Sequence, residues 1–352
     1  MRGTAADEWA LRRLRPLLCT ARRSNGVTVE KTLATTLQVA YFREELRMRV
    51  YRRVLADVLA TLAEAGVPTM LVGGAALGGT VYGDWALRHS HDIDLLVLED
   101  HLSRGAQALA AIGFTPGDRS IGPGQRDAIL KHVSDLPVAL HSRPFPVPYA
   151  NALVSAMWAR GESVMLDGVE ASVLSPADNL LHVCGRAAIL ARRGSPFWVC
   201  DAWQIIEKHP DLDWELLVEG AWRCHLSLLL YATLRYLASE LEAPIPPSVV
   251  RRLATAVDPL GREGALRAAQ MVPKGSLPNL FRLTRRWEDR ARLLKWWLLP
   301  SPSYLRAVHE LRPSASIPLY YLNRPFRYGA RRVSAAITKA MPTRVTWRSR
   351  FG

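Results

Sequence analysis

Apolar positions recur at mixed three- and four-residue spacings between residues 27 and 65, through Leu33, Leu37, Ala40, Tyr41, Leu46, Val50, Val54 and Leu55. That period predicts helix, and Gly66 closes it. The pattern then changes to short apolar runs. Val67 to Val72 reads as a strand ending in Gly73-Gly74, and Ala75 to Tyr82 as a helix leaving that turn. His91 to Leu98 reads as a second strand, acidic at its start and apolar on both faces beyond it, as expected of a strand in the middle of a sheet. A helix from about Asp100 to Ile112 follows, stopped by Gly113, and Ala128–Val133 and Val138–His141 read as two more strands. Alternation around Asp167-Gly168 predicts a hairpin over Glu162–Leu174.

Past the hairpin the period becomes helical again. Ser175-Pro176 is a helix start with proline at the first position, and helices are expected over 176–192, 197–208, 213–220 and 222–241, ended by Pro244, Pro246 and Pro247. The expected fold class is therefore α+β. A small mixed sheet over 66–149, with helices on one face, follows a helical segment over 1–65 and precedes a hairpin-plus-helical domain over 150–281. Residues 282–352 form a Pro/Arg-rich segment in which prolines interrupt every pattern.

Composition narrows the classes. With 352 residues, 49% hydrophobic and 22% charged, the chain has enough apolar surface for a large core, which excludes wholesale disorder and fibrous structure. No apolar run reaches the roughly 20 residues of a membrane span. The four cysteines lack CxxC spacing, and the N-terminus has no apolar export segment, so a reducing cytoplasm is expected. The net charge of +14 is local: residues 282–352 hold 16 basic and three acidic side chains, leaving 30 and 29 elsewhere. Any polyanion would have to be met by that segment, where Arg324, Arg327, Arg331 and Arg332 mix with Tyr320, Tyr321, Phe326 and Tyr328. A strap of packed aromatics with solvated arginines is favoured over a nucleic-acid site there.

The chemistry concentrates at the first two strands. Asp92 and Asp94, two apart on a strand, project from one face and need a cation between them. Mg²⁺ suits a site of one or two carboxylates completed by substrate phosphates, and two such ions clamp an in-line phosphoryl displacement. Gly73 and Gly74 let backbone N–H groups at the strand-to-helix turn approach a triphosphate. Arg88 is a candidate phosphate contact, because a guanidinium pairs bidentately with phosphate oxygens.

An apolar strand ending in Gly-Gly, followed by acidic–apolar–acidic on the next strand, resembles the nucleotidyltransferase superfamily of the polymerase-β type. The run Gly74-Ala75-Ala76-Leu77, Tyr82, Arg88 and Asp92-Ile93-Asp94-Leu95-Leu96-Val97 is similar to a largely uncharacterised bacterial group within it. The resemblance continues more weakly through Leu140-His141, Trp158, Leu174-Ser175-Pro176 and Asp201 to about Pro247. It implies Mg²⁺-dependent transfer of a nucleoside monophosphate from a nucleoside triphosphate to an acceptor, with release of pyrophosphate. The implied acceptor is a hydroxyl or phosphate on a small molecule or peptide-type product, in preference to nucleic acid. One departure stands out. The family's third carboxylate precedes the histidine by two residues, and here that position is Ala139. Reduced activity, replacement by Asp135 or His141, or a binding-only descendant are the alternatives this opens.

Overall fold

The computed structural model describes residues 5–116, 127–132, 134, 136–145, 153–189 and 197–256, with isolated positions at 287, 290 and 291. The aromatic and arginine positions quoted for the basic C-terminal segment, and Asp135, lie outside the described residues. No helix among the described residues is long and apolar enough to cross a membrane.

Two helices open the chain, α1 (Ala5–Ser24) and α2 (Lys31–Glu64). Then β1 (Thr69–Val72) runs into α3 (Gly73–Thr80), and β2 (Ile93–Val97) leads through α4 (Leu102–Ala111) to β3 (Thr115–Pro116), β4 (Asp127–Lys131) and β5 (Val138–His141). The short helix α5 (Val154–Ala159) precedes the hairpin β6 (Glu162–Leu166) and β7 (Val169–Val173). Helices α6 (Pro176–Ile189), α7 (Phe197–Lys208), α8 (Trp214–Arg223), α9 (Ser227–Glu240) and α10 (Pro247–Ala256) complete the described part. The α+β class holds.

One seven-stranded sheet carries the fold, in the order β3-β4-β5-β2-β1-β7-β6. β1 pairs antiparallel with β2, which pairs parallel with β5, while β7 adds to the other side of β1 in parallel. The hairpin therefore extends the sheet that the sequence reading assigned to residues 66–149, although that reading grouped it with the helices after it. Its turn has positive φ at Asp167 (51°) and Gly168 (82°), the geometry that makes a two-residue Asp-Gly connection match the strand twist. Arg52 of α2 pairs with Asp167 and ties the hairpin tip to the N-terminal helices.

Alternation along β2 divides the core in two. Ile93, Leu95 and Val97 point to one face and pack with Tyr51, Leu55, Val58, Leu59 and Leu62 of α2 and Leu109 of α4. Leu96 points to the other and packs with Met70 and Val72 of β1 and Leu180, Leu181 and Cys184 of α6, under helices α7 to α10. Helices thus cover both faces of the sheet, where the sequence suggests one. Truncating a residue such as Leu95, which is fully buried, costs about 2–5 kcal/mol. The consequence for the site is positional. Asp94 precedes Leu96 by two residues, so it lies on the face that α6 covers.

Candidate active site

Helix α2 holds the entry to β2 through its backbone. The Tyr51 hydroxyl donates to the carbonyl of Asp92 at 2.8 Å, and Arg47 Nη2 donates to the carbonyl of Ser90 at 2.6 Å. Glu44 accepts from Arg47 and lies 3.0 Å from His89 Nδ1, so the connection that delivers Asp92 is braced from the N-terminal helices. From the sheet side, Ile93 N donates to Pro137 O. The backbone at the strand entry is thus held from both sides, with the Asp92 carboxyl projecting from it.

The register sets the rest. Asp94 lies beside Val72 on β1 and beside Ala139 on β5. Gly73 directly after Val72 has φ +66°, and a Cβ there would come within 3.2 Å of Asp94 Oδ2. A Cβ on Gly74 would meet Ser90 Oγ at 2.2 Å and Arg88 Nη1 at 3.3 Å. Gly74 is required by close approach, and Gly73 by its left-handed backbone conformation. The turn opens α3, whose N-cap Val72 provides no side-chain cap for its first N–H groups. Hence Gly73, Gly74, Asp92 and Asp94, separate in the sequence, meet at one end of β1 and β2.

The two carboxyls differ in environment. Asp94 accepts or shares a hydrogen bond with His141 Nε2 at 2.8 Å, both side chains being largely buried. Burial alone would raise the Asp94 carboxyl, but the His141 hydrogen bond and charge, with Arg186 behind them, hold it well below the usual carboxylate range. Asp92, more exposed, is pushed up to about 6 by desolvation and then by the negative charge of Asp94. His91 Nε2 stands 3.6 Å from Asp92 Oδ2 on the solvent side. Two carboxylates that repel each other, one largely buried and one partly exposed, are a donor set for a hard divalent cation. Among the described residues no group of three or more His, Cys, Asp or Glu side chains forms a metal cage. Magnesium does not need one, since it keeps waters and takes its remaining oxygens from phosphates.

Arg88 has other partners as well as the turn. Its Nε and Nη2 donate to the two oxygens of Asp201 on α7 at 2.6 and 2.9 Å, Nη1 donates to the His89 carbonyl, and the guanidinium stacks 4.9 Å above the Phe197 ring. The Tyr82 hydroxyl donates to the same Asp201 at 2.8 Å. Burial and that carboxylate push the Tyr82 phenol far above its usual range. Arg88 therefore lies under the Gly74 turn with its charge matched by Asp201, and it joins the sheet to the helical half. The sequence reading named Asp201 without giving it this role, because nothing in the spacing of residues 88 and 201 connects them.

A strand running into a Gly-Gly turn lies antiparallel against a strand that presents Asp-Ile-Asp at the same end, the arrangement that the sequence resemblance implies for a nucleotidyltransferase. The chain belongs to a family of uncharacterised nucleotidyltransferases, whose profile matches residues 8–241. No curated protein matches it. Among solved structures it is similar to the solution structure of the antibiotic-resistance factor ANT(2'')-Ia, at 13% identity and a TM-score of 0.36, over 55% of this chain and 96% of that one. It is also similar to the crystal structure of an antigenic nucleotidyltransferase-like protein from Paracoccidioides brasiliensis, at 16% identity and the same TM-score, over 58% of this chain and 91% of that one. At these scores neither likeness speaks to substrate.

Proposed function

We propose that the protein is an NTP-dependent nucleotidyltransferase whose Asp92 and Asp94 hold Mg²⁺ and whose Gly73-Gly74 turn, with Arg88 beneath it, receives the triphosphate. One observation carries the reading: Asp94 Oδ2 lies against Gly73, so the carboxylate pair and the phosphate turn are one site. An acceptor oxygen attacks the α-phosphorus, the bond to the bridging oxygen breaks, pyrophosphate leaves, and the acceptor gives up its proton. Magnesium bound there would neutralise the charge that builds on the phosphates. The first N–H groups of α3 bind the phosphates, and Asp201 keeps Arg88 in place under them. His141 would take the acceptor's proton in its neutral form, with Nε2–H donating to Asp94 and Nδ1 as the base. The acceptor, a small molecule or peptide-type product bearing a hydroxyl or phosphate, sits between the sheet and α6, where clefts between layers favour ligands. Four cysteines, all unpaired in the structure, fit the expected cytoplasmic location.

A second reading has its own observation. The register puts Ala139 beside Asp94, the place where the family resemblance puts a third carboxylate. A triphosphate-binding protein without turnover is the outcome if His141 does not substitute.

Calorimetric titration with a non-hydrolysable ATP analogue tests the reading. Binding should require Mg²⁺, be abolished by EDTA, and be lost in Asp92→Asn and Asp94→Asn chains that still fold. Equal affinity in wild type and both variants overturns the metal assignment.

A further inference from the structure

Helix α6 is apolar except on one side. Leu180, Leu181, Val183 and Cys184 enter the core, while Asn179, His182 and Arg186 follow at three- and four-residue steps along the opposite stripe. That stripe is buried without being satisfied. Asn179 and His182 are 5% and 2% exposed, yet Asn179 Oδ1 and both ring nitrogens of His182 have no hydrogen-bond partner among the described residues. Burying such groups without a partner is costly, and native chains rarely leave three polar atoms so on one helix face.

Position explains them. α6 packs on the sheet face that bears Asp92, Asp94, Ala139 and His141, and Gly185 admits Phe145, just past β5, so closely that a Cβ would meet its ring at 2.8 Å. The His182 ring lies 6.0 Å from the Phe145 ring. Arg186, one turn beyond, makes no hydrogen bond or ion pair among the described residues, and its charge favours the ionised forms of both Asp92 and Asp94. Arg88 has Asp201, whereas among the described residues the charges that Arg186 acts on are those of the site.

We infer that Arg186, with His182 one turn before it, binds the substrate's phosphates from the helical side, opposite the Gly73-Gly74 turn. The inference rests on the nucleotide reading above and adds to it a second phosphate-binding wall from a separate part of the chain. A planar fork with unused donors suits phosphate oxygens, and the orphaned His182 ring completes the same contact. The site would then be whole only when α6 is docked on the sheet, so substrate binding and the packing of the two layers are linked.

The test is calorimetry on the full chain with Mg²⁺ and two probes, the non-hydrolysable ATP analogue and inorganic tripolyphosphate, each paired with a melting curve. Arg186→Gln should weaken both probes about 10- to 100-fold, the range of a lost charge-assisted contact, at unchanged melting temperature. Arg186→Lys should fall between it and wild type. Unchanged affinity in Arg186→Gln, with wild type binding, overturns the inference and leaves the nucleotide reading standing. Loss of the ATP analogue alone, with tripolyphosphate unaffected, also overturns it, since the contact would be to the nucleoside. If Arg186→Gln melts early, Arg186→Met serves as the second variant, and early melting of both makes the residue structural and overturns the inference. A wild-type chain that binds neither probe overturns the nucleotide reading and this inference with it.

Discussion

The two walls of the site are built on opposite principles. On the sheet side, polar groups around the carboxylates are committed: Arg47 to Glu44 and Ser90, Tyr51 to Asp92, Arg88 to Asp201, and His141 to Asp94. On the α6 side, Asn179 Oδ1 and the His182 ring are equally buried and have no partner, and Arg186 is unpaired among the described residues. Committed networks fix geometry, and orphaned ones mark where binding energy is still to be gained. The sheet side is a scaffold that holds two like charges together, and the helix side is complete only with a ligand.

Activity offers the largest test of that contrast. Ala139→Asp places a carboxylate beside Asp94 and should raise slow triphosphate hydrolysis by about 10²- to 10⁴-fold if proton removal limits turnover. Release of pyrophosphate would be followed, and a slower rate than wild type would show that His141 already does this work. Next in size is the loss of the Arg88 partner. Asp201→Ala strands a buried guanidinium and should destabilise the fold by about 3–5 kcal/mol, read from chemical denaturation. Arg186→Gln should leave denaturation unchanged, and equal effects of the two substitutions would erase the distinction between the walls.

Asp94→Asn should lower Mg²⁺-dependent triphosphate affinity by more than the roughly 10- to 100-fold typical of losing a group that merely orients a metal ligand. Retained melting with lost binding is the expected pair of results.

Acid should destabilise the fold through His182. Burial, then the nearby charge of Arg186, holds the His182 imidazole down to about 3, against an ordinary 6.5. Above pH 6.5 it is neutral in both folded and unfolded chains and contributes nothing. Between pH 6.5 and 3 the unfolded chain takes up a proton that the folded one refuses, so stability falls with pH, by an amount on the order of a few kcal/mol across the window. Melting curves from pH 7 to 4.5 should be steeper in wild type than in His182→Gln. The smallest effect belongs to the exposed Arg52–Asp167 pair, where Arg52→Ala should cost no more than about 1 kcal/mol.

Several features were legible because they depend on neighbours in the chain. The Gly-Gly turn, the Asp-Ile-Asp strand and the Asp-Gly hairpin all fall where local period and turn chemistry place them. The period over residues 27–65 predicted helix correctly, yet Leu33, Leu46 and Val50, read as part of its apolar pattern, are exposed, while Met48, Tyr51, Val58 and Leu62 are buried. A stripe of apolar residues fixes that a helix forms more surely than which side of it meets the sheet. Helix α1 falls within the helical segment expected over 1–65, while α5 and α10 have no individual signal, being very short or behind prolines.

What the sequence determined by itself is the chemistry at the carboxylates: two acids on one strand face, a turn without side chains before them, and an alanine at the position of the third acid. What tertiary structure decided is which groups face them. Arg88 and Arg186 are alike as residues, and no spacing tells them apart. Packing α7 against the sheet gives Arg88 a carboxylate, and packing α6 on the Asp94 face gives Arg186, among the described residues, no ion pair and only the more distant charges of Asp92 and Asp94. Long-range pairing of charges depends on where helices dock, a property of the whole core that no local pattern encodes.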